Sequence, residues 1–238
     1  MKPSAISVTN KSKIDIKILK RENKKTSDRV LKADFGLVLT RLKKKYPNAH
    51  CALNFTNPFE LLIATILSAQ CTDERVNMVT PHLFKKFQDP QSLAEATVFE
   101  IEQIIRSTGF YKNKAKNIKA CCQQLVEKHS SQVPKSMEEL NSLPGVGRKT
   151  ANVVLGNAYG ISSGVVVDTH VTRLANRFGW VKTTDAVKIE QKLNKICPQQ
   201  DWIMLSHYLI SHGRAVCTAR SPKCESCFLG EACPKRGV

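Results

Sequence analysis

The sequence predicts an all-α protein. From about residue 33 onward apolar residues recur at spacings of three and four, the alternation of a half-buried strand is nearly absent, and the linkers between periodic segments are short. The periodicity predicts helices over Lys32–Tyr46, Pro58–Gln70, Thr72–Phe87, Ser92–Thr108 and Lys112–His129, and then over Ser136–Ser142, Gly147–Ala158, Thr169–Phe178, Asp185–Ile196 and Asp201–Cys217. Several starts are marked by capping chemistry. Asn57 precedes Pro58 with Glu60 in the first turn, and Ser136 precedes Glu138 and Glu139, which suits both the exposed amides and the positive end of a helix. No internal repeat recurs at a fixed period.

With 238 residues, 42% of them hydrophobic, the chain has enough material for a large core, in one domain or two lobes, without disulfides. Its formal charge of +17 points to a polyanionic partner, either nucleic acid or an anionic membrane surface. Residues 1–50 hold 14 Lys and Arg against four Asp and Glu, so +10 of that charge is N-terminal. Met1–Val30 has no aromatic residue and no sustained helical period. Residues 1–30 are therefore expected to form a basic flexible tail, with an accessory DNA-binding arm as the alternative. Lysine richness and the acids Asp15, Glu22 and Asp28 argue against a mitochondrial transit peptide. The absence of a leading apolar segment and of any run of 18 apolar residues argues against secretion and a membrane span, so an intracellular protein is expected. A membrane-surface binder would need a basic amphipathic helix with exposed apolar bulk, and none stands out. In that setting nine cysteines point to metal binding or buried thiols.

Three segments carry chemistry. Leu143-Pro144-Gly145-Val146-Gly147-Arg148-Lys149-Thr150-Ala151 reads as a helix-hairpin-helix. Pro144 stops the first helix, and Gly145 and Gly147 supply unusual backbone angles with no Cβ in the way of a ligand. The amides opening the second helix, with Arg148 beside them, suit a phosphate. In the apolar run Val165-Val166-Val167-Asp168-Thr169-His170-Val171, Asp168 stands at a helix start, where an aspartate also serves simply as an N-cap. In the last 22 residues, Cys217, Cys224, Cys227 and Cys233 follow a C-x6-C-x2-C-x5-C spacing, a metal-ligand pattern that sulfur chemistry leaves open between zinc and iron-sulfur. Arg220 and Lys223, in the loop between the first two of these, are placed to meet DNA phosphate if a metal fixes the loop. Cys51, Cys71, Cys121, Cys122 and Cys197 have no ligand-like spacing and are expected mostly in the core.

These motifs, in this order, resemble the endonuclease III family of helix-hairpin-helix DNA glycosylases. The likeness extends to Ile66–Asp73, where relatives commonly begin with Leu, and to Gly109-Phe110-Tyr111 followed by Lys114-Ala115. It runs from roughly residue 33 to 234. The resemblance implies that Lys149 is a nucleophile forming a Schiff base and that Asp168 is the second catalytic residue. Thr169 and His170 are expected to hold local structure. Gln70 is expected to fill the gap left by a flipped nucleotide. Phe110, where relatives often carry Leu, is expected either to wedge into the base stack or to sit in the core. Gly145, Gly147 and Arg148 are expected at the DNA backbone. The four C-terminal cysteines would hold a [4Fe-4S] cluster.

The implied architecture is two helical lobes with a DNA-binding cleft between them. A six-helix lobe spans 51–161 and a cluster lobe comprises 31–50 and 162–238. The implied function is base excision repair: N-glycosidic release of oxidised pyrimidines followed by β-elimination at the abasic site. The implied partner is double-stranded DNA carrying damaged pyrimidines or abasic sites. A monomer in the cytoplasm or nucleoid of a bacterial-type cell is expected. An adenine DNA glycosylase is the nearest alternative, but that branch generally lacks the lysine and adds a C-terminal domain. A non-catalytic iron-sulfur DNA-binding protein leaves Lys149 and Asp168 unexplained.

Overall fold

The computed structural model describes residues 32–238, so the basic tail expected over 1–30 lies outside the described residues. Among them are eleven α-helices and no strand. They are α1 (Phe35–Lys45), α2 (Pro58–Leu67), α3 (Asp73–Lys86), α4 (Pro90–Glu95), α5 (Val98–Ile105) and α6 (Tyr111–His129). Then come α7 (Met137–Ser142), α8 (Arg148–Tyr159), α9 (Thr169–Arg177), α10 (Ala186–Ile196) and α11 (Trp202–Ala215). No helix among the described residues is long and apolar enough to cross a membrane.

The expected caps are in place. Asn57 accepts from the Glu60 amide at 2.9 Å, and Ser136 from the Glu139 amide at 3.2 Å. Two boundaries depart from the periodicity. The stretch expected as one helix over Ser92–Thr108 is two helices and a 3-10 turn, because Ala96 is extended and Thr97 forms a capping box with Glu100 that starts a new helix. The segment between 51 and 161 therefore holds seven helices, α2 to α8, where six were expected. The second helix stops at Leu67 rather than Gln70. The Ser68 hydroxyl donates to the Thr65 carbonyl at 2.8 Å, and Gln70 turns into left-handed backbone at φ 52°.

The apolar faces gather into two separate cores. The first is built from α2 to α8 around α2, whose residues Leu61 to Leu67 are all buried. A helix apolar on every side belongs at the centre of its layer. The second core joins Val38, Leu39 and Leu42 of α1 to residues of the chain from Val165 onward, among them Leu174, Phe178, Leu193 and Leu209. The Ala33 amide donates to the Phe178 carbonyl at 2.8 Å and Trp180 Nε1 donates to the Ala33 carbonyl at 3.1 Å, tying the start of α1 into that core.

Candidate active site

The hairpin between α7 and α8 is shaped by one glycine through its angle and by the other through its bareness. Gly145 has φ 77°, and a Cβ there would lie 2.9 Å from Asn117 Cβ, so α6 and the hairpin meet only because the residue is glycine. Gly147 departs from the expectation of an unusual angle: its φ is −94°, and what it contributes is open space where a side chain would stand. No side chain caps α8, so its first-turn amides are left to donate to an anion, which the positive end of the helix would also favour. Lys149, the second residue of α8, is exposed.

Arg148 is already engaged. Its Nε and Nη2 each donate at 2.8 Å to the two oxygens of Glu190 on α10, a bidentate pair that crosses from one core to the other. The Glu190 carboxylate thereby compensates its charge. Glu190 is buried and also accepts from Asn152 Nδ2 at 3.3 Å. The connection between the cores passes so close that a Cβ on Gly164 would run into Glu190 Oε1. Gly164→Ala is accordingly expected to destabilise by about 1–3 kcal/mol, the usual cost of overpacking a filled interior. Thermal melting checks this; an unchanged midpoint would mean that the connection moves aside freely.

Asp168 ends the buried run after Val167 and caps α9, its Oδ1 accepting from the Val171 amide at 2.8 Å. It is half-buried, and with Lys149 it lines one open cleft of about 760 Å³. Arg173, Arg177 and Arg236 line the same cleft, so four basic side chains surround a single carboxylate there. That balance suits a polyanion with one place for a developing positive charge. His170 faces Arg173 Nη2 at 3.0 Å; a guanidinium only donates, so His170 Nδ1 accepts and any ring proton sits on Nε2. Burial pulls the pKa of His170 down in agreement with a neutral ring. Arg173 also donates to the carbonyls of Gly213 and Cys217, fastening α9 to the end of α11. His170 therefore holds local structure.

Cys217, Cys224, Cys227 and Cys233 line one pocket. Three of the four sulfurs face a nitrogen. Arg177 Nη1 donates to Cys217 Sγ at 3.2 Å, the Lys235 amide donates to Cys233 Sγ at 3.4 Å, and His212 Nε2 lies 3.7 Å from Cys227 Sγ. Among the described residues no set of three or more His, Cys, Asp or Glu is arranged for a single metal ion. Four thiols spaced around a pocket, with N–H groups turned toward sulfur, fit an iron-sulfur cluster. Arg177 itself is buried; it also donates to the carbonyls of Thr218 at 2.7 Å and Ala219 at 3.0 Å, pinning the loop that carries Arg220 and Lys223, both exposed. Glu190, Arg173, Arg177 and Arg236 were not singled out in the sequence.

Gln70 and Phe110 stand apart from the cleft lining. Both are exposed, Phe110 at 65%, which removes the core alternative for its ring. Both also adopt left-handed backbone, with φ 52° and 47°, which L side chains other than Asn and Asp rarely take. Of the remaining cysteines, Cys121, Cys122 and Cys197 are buried as expected, while Cys51 and Cys71 are only half-buried.

Residues 63–199 match the family model of the HhH-GPD superfamily of base excision DNA repair proteins, and residues 217–233 match that of the iron-sulfur binding domain of endonuclease III. Endonuclease III of Synechocystis sp. is 56% identical over 83% of this chain and 90% of its own length. The Escherichia coli K12 protein is 42% identical over 82% and 92%. A solved structure of a trapped endonuclease III–DNA covalent intermediate superposes with a TM-score of 0.79 at 47% identity, covering 82% of this chain and 92% of that one. Fold and hairpin together define a base excision DNA repair protein of the helix-hairpin-helix superfamily. Within it, the likeness covers the cluster segment as well as the hairpin. The chain belongs to the endonuclease III family: it is a bifunctional DNA glycosylase and abasic-site lyase with a [4Fe-4S] cluster. Neither alternative function is favoured by these likenesses.

Proposed function

We propose that the enzyme releases oxidised pyrimidines from double-stranded DNA and then cuts the strand at the abasic site, with Lys149 as nucleophile and Asp168 as its charged partner. The observation that carries this reading is the shared cleft: Lys149 at the uncapped start of α8 and Asp168 at the start of α9 line it together, among arginines. The Lys149 amine, once neutral, bonds to C1′ while the bond from C1′ to the base breaks, and the base leaves with a proton. Asp168 faces the positive charge that grows at C1′ and takes up the proton that the amine loses. The C1′–O4′ bond then opens, with O4′ taking up a proton, as the second bond from nitrogen to C1′ forms; the imine so made acidifies the 2′ position, and loss of a 2′ proton expels the 3′ phosphate. Only an amine nucleophile gives that second step.

The target must leave the stack to reach the cleft. Gln70 and Phe110 are proposed to enter the duplex as gap-filler and wedge, which their exposure and backbone conformation support. Gly145, Gly147 and the amides of the hairpin are proposed to hold phosphate, as are Arg220 and Lys223; the pairing of Arg148 with Glu190 leaves it a smaller part in that contact. Cys217, Cys224, Cys227 and Cys233 would hold the cluster, and their ligation would fix the loop of Arg220 and Lys223. The two cores support lobes of 51–161 and of 31–50 with 162–238. Monomeric action on duplex DNA in the cytoplasm or nucleoid completes the proposal.

Duplexes carrying one altered base each test the substrate class: oxidised pyrimidines, an oxidised purine, an alkylated purine, and adenine opposite an oxidised guanine. Release of the oxidised pyrimidines with strand cleavage is expected. Turnover confined to the adenine or alkylated substrates would sink the reading.

A further inference from the structure

Lys114 on α6 is a lysine that the reaction does not use, and it is only 5% exposed. Among the described residues its ammonium has no carboxylate partner. It donates instead to two backbone carbonyls, Leu67 and Thr108, each at 2.8 Å. Leu67 is the last residue of α2, and Thr108 is the last residue of the 3-10 turn after α5. Carbonyls at helix ends lack a partner within their own helix and carry the negative end of its dipole, so one buried cation caps two helix ends at once. Burial pulls the pKa of Lys114 down, which reflects the cost of keeping the charge there.

The two capped ends lead straight into the two residues with left-handed backbone. Gln70 follows Leu67 by three positions and Phe110 follows Thr108 by two. The Lys114 amide also donates to the Phe110 carbonyl at 3.1 Å, so this one residue holds the Phe110 loop through its main chain and its side chain. We propose that Lys114 is a positioning residue for nucleotide extrusion, its ammonium tying the Gln70 and Phe110 loops to each other so that both enter the duplex as a unit. This rests on the proposed roles of Gln70 and Phe110. An apolar residue of similar length would fill the space but leave both carbonyls bare and each loop to its own fluctuations. A strained conformation persists only while its surroundings enforce it.

The test compares Lys114→Met with wild type on two duplexes holding the same oxidised pyrimidine, one correctly paired and one opposite a mismatched base. Extrusion is cheaper from the mismatch, whereas backbone contacts and the chemical step are common to both. The variant is expected to lose about tenfold more turnover on the paired lesion than on the mismatched one, equivalent to ~1.4 kcal/mol. Equal losses on both duplexes, or none on either, would overturn the proposal, since a merely structural lysine lowers both together. Lys114→Gln, which keeps a two-donor amide, should recover part of the paired-lesion activity if Lys114→Met folds, and it carries the same comparison if Lys114→Met does not. If neither variant folds, the lysine is a folding element and the proposal fails. Gln70→Ala and Phe110→Ala, run alongside, separate the two levels. If they show the paired-lesion defect and Lys114→Met does not, only the role of Lys114 falls; if they show no such defect, the reading of the two loops falls, and this proposal with it.

Discussion

Lys149→Gln is expected to abolish covalent capture of DNA. When borohydride is added during turnover of a duplex with an oxidised pyrimidine, the wild-type imine is reduced and protein and DNA become joined, with the adduct mapping to Lys149. An amide retains much of the length of lysine but forms no imine. The variant should fold normally, because position 149 is exposed and makes no hydrogen bond through its side chain among the described residues. Its affinity for duplex should persist, since the hairpin amides and the remaining basic residues of the cleft are untouched. Undiminished capture by Lys149→Gln would remove Lys149 from the mechanism.

The second large effect is expected at Asp168. Asn caps helices about as well as Asp, so Asp168→Asn should keep the bond from the Val171 amide and melt within about 1 kcal/mol of wild type. Turnover should nevertheless fall about 10²- to 10³-fold, the scale associated with losing one aimed electrostatic partner of a transition state. A slow variant with a normal melting midpoint separates the catalytic role from the capping role. A variant with normal turnover would reduce Asp168 to a cap.

How far the sequence discloses this molecule depends on the range of the interaction that makes each feature. The helices from α6 onward were legible because one face of each is apolar at helical spacing, and the side-chain caps of α7, α9 and α10 lie within three residues. The break between α4 and α5 was missed because apolar residues continue across it at helical spacing; the available signal was Thr97 followed three residues later by Glu100. Lys149, Asp168 and the four cysteines were legible as local strings. Their supports were not, because each is set by tertiary packing. Arg148 finds Glu190 across 42 positions, and Arg177 finds Cys217 across 40. Nothing local marks Glu190 as the residue that occupies Arg148, since its neighbours read as an ordinary charged helix surface. The left-handed backbone of Gln70 and Phe110 is likewise invisible in residue types that usually avoid it.

The interleaving of the chain between its two cores sets an order of assembly during translation. α1 emerges with Val38, Leu39 and Leu42 uncovered, and the residues that cover them begin only at Val165. The segment between is contiguous and has its own core, so it is able to collapse while α1 still waits, in keeping with the early formation of local contacts and the late closure of distant ones. The cysteine segment is made after the hairpin. Iron and sulfide can therefore be built into the protein only after the hairpin already exists, and a nascent chain stopped short of Cys233 would carry a finished hairpin core, an unmated first helix and no complete site for the metal.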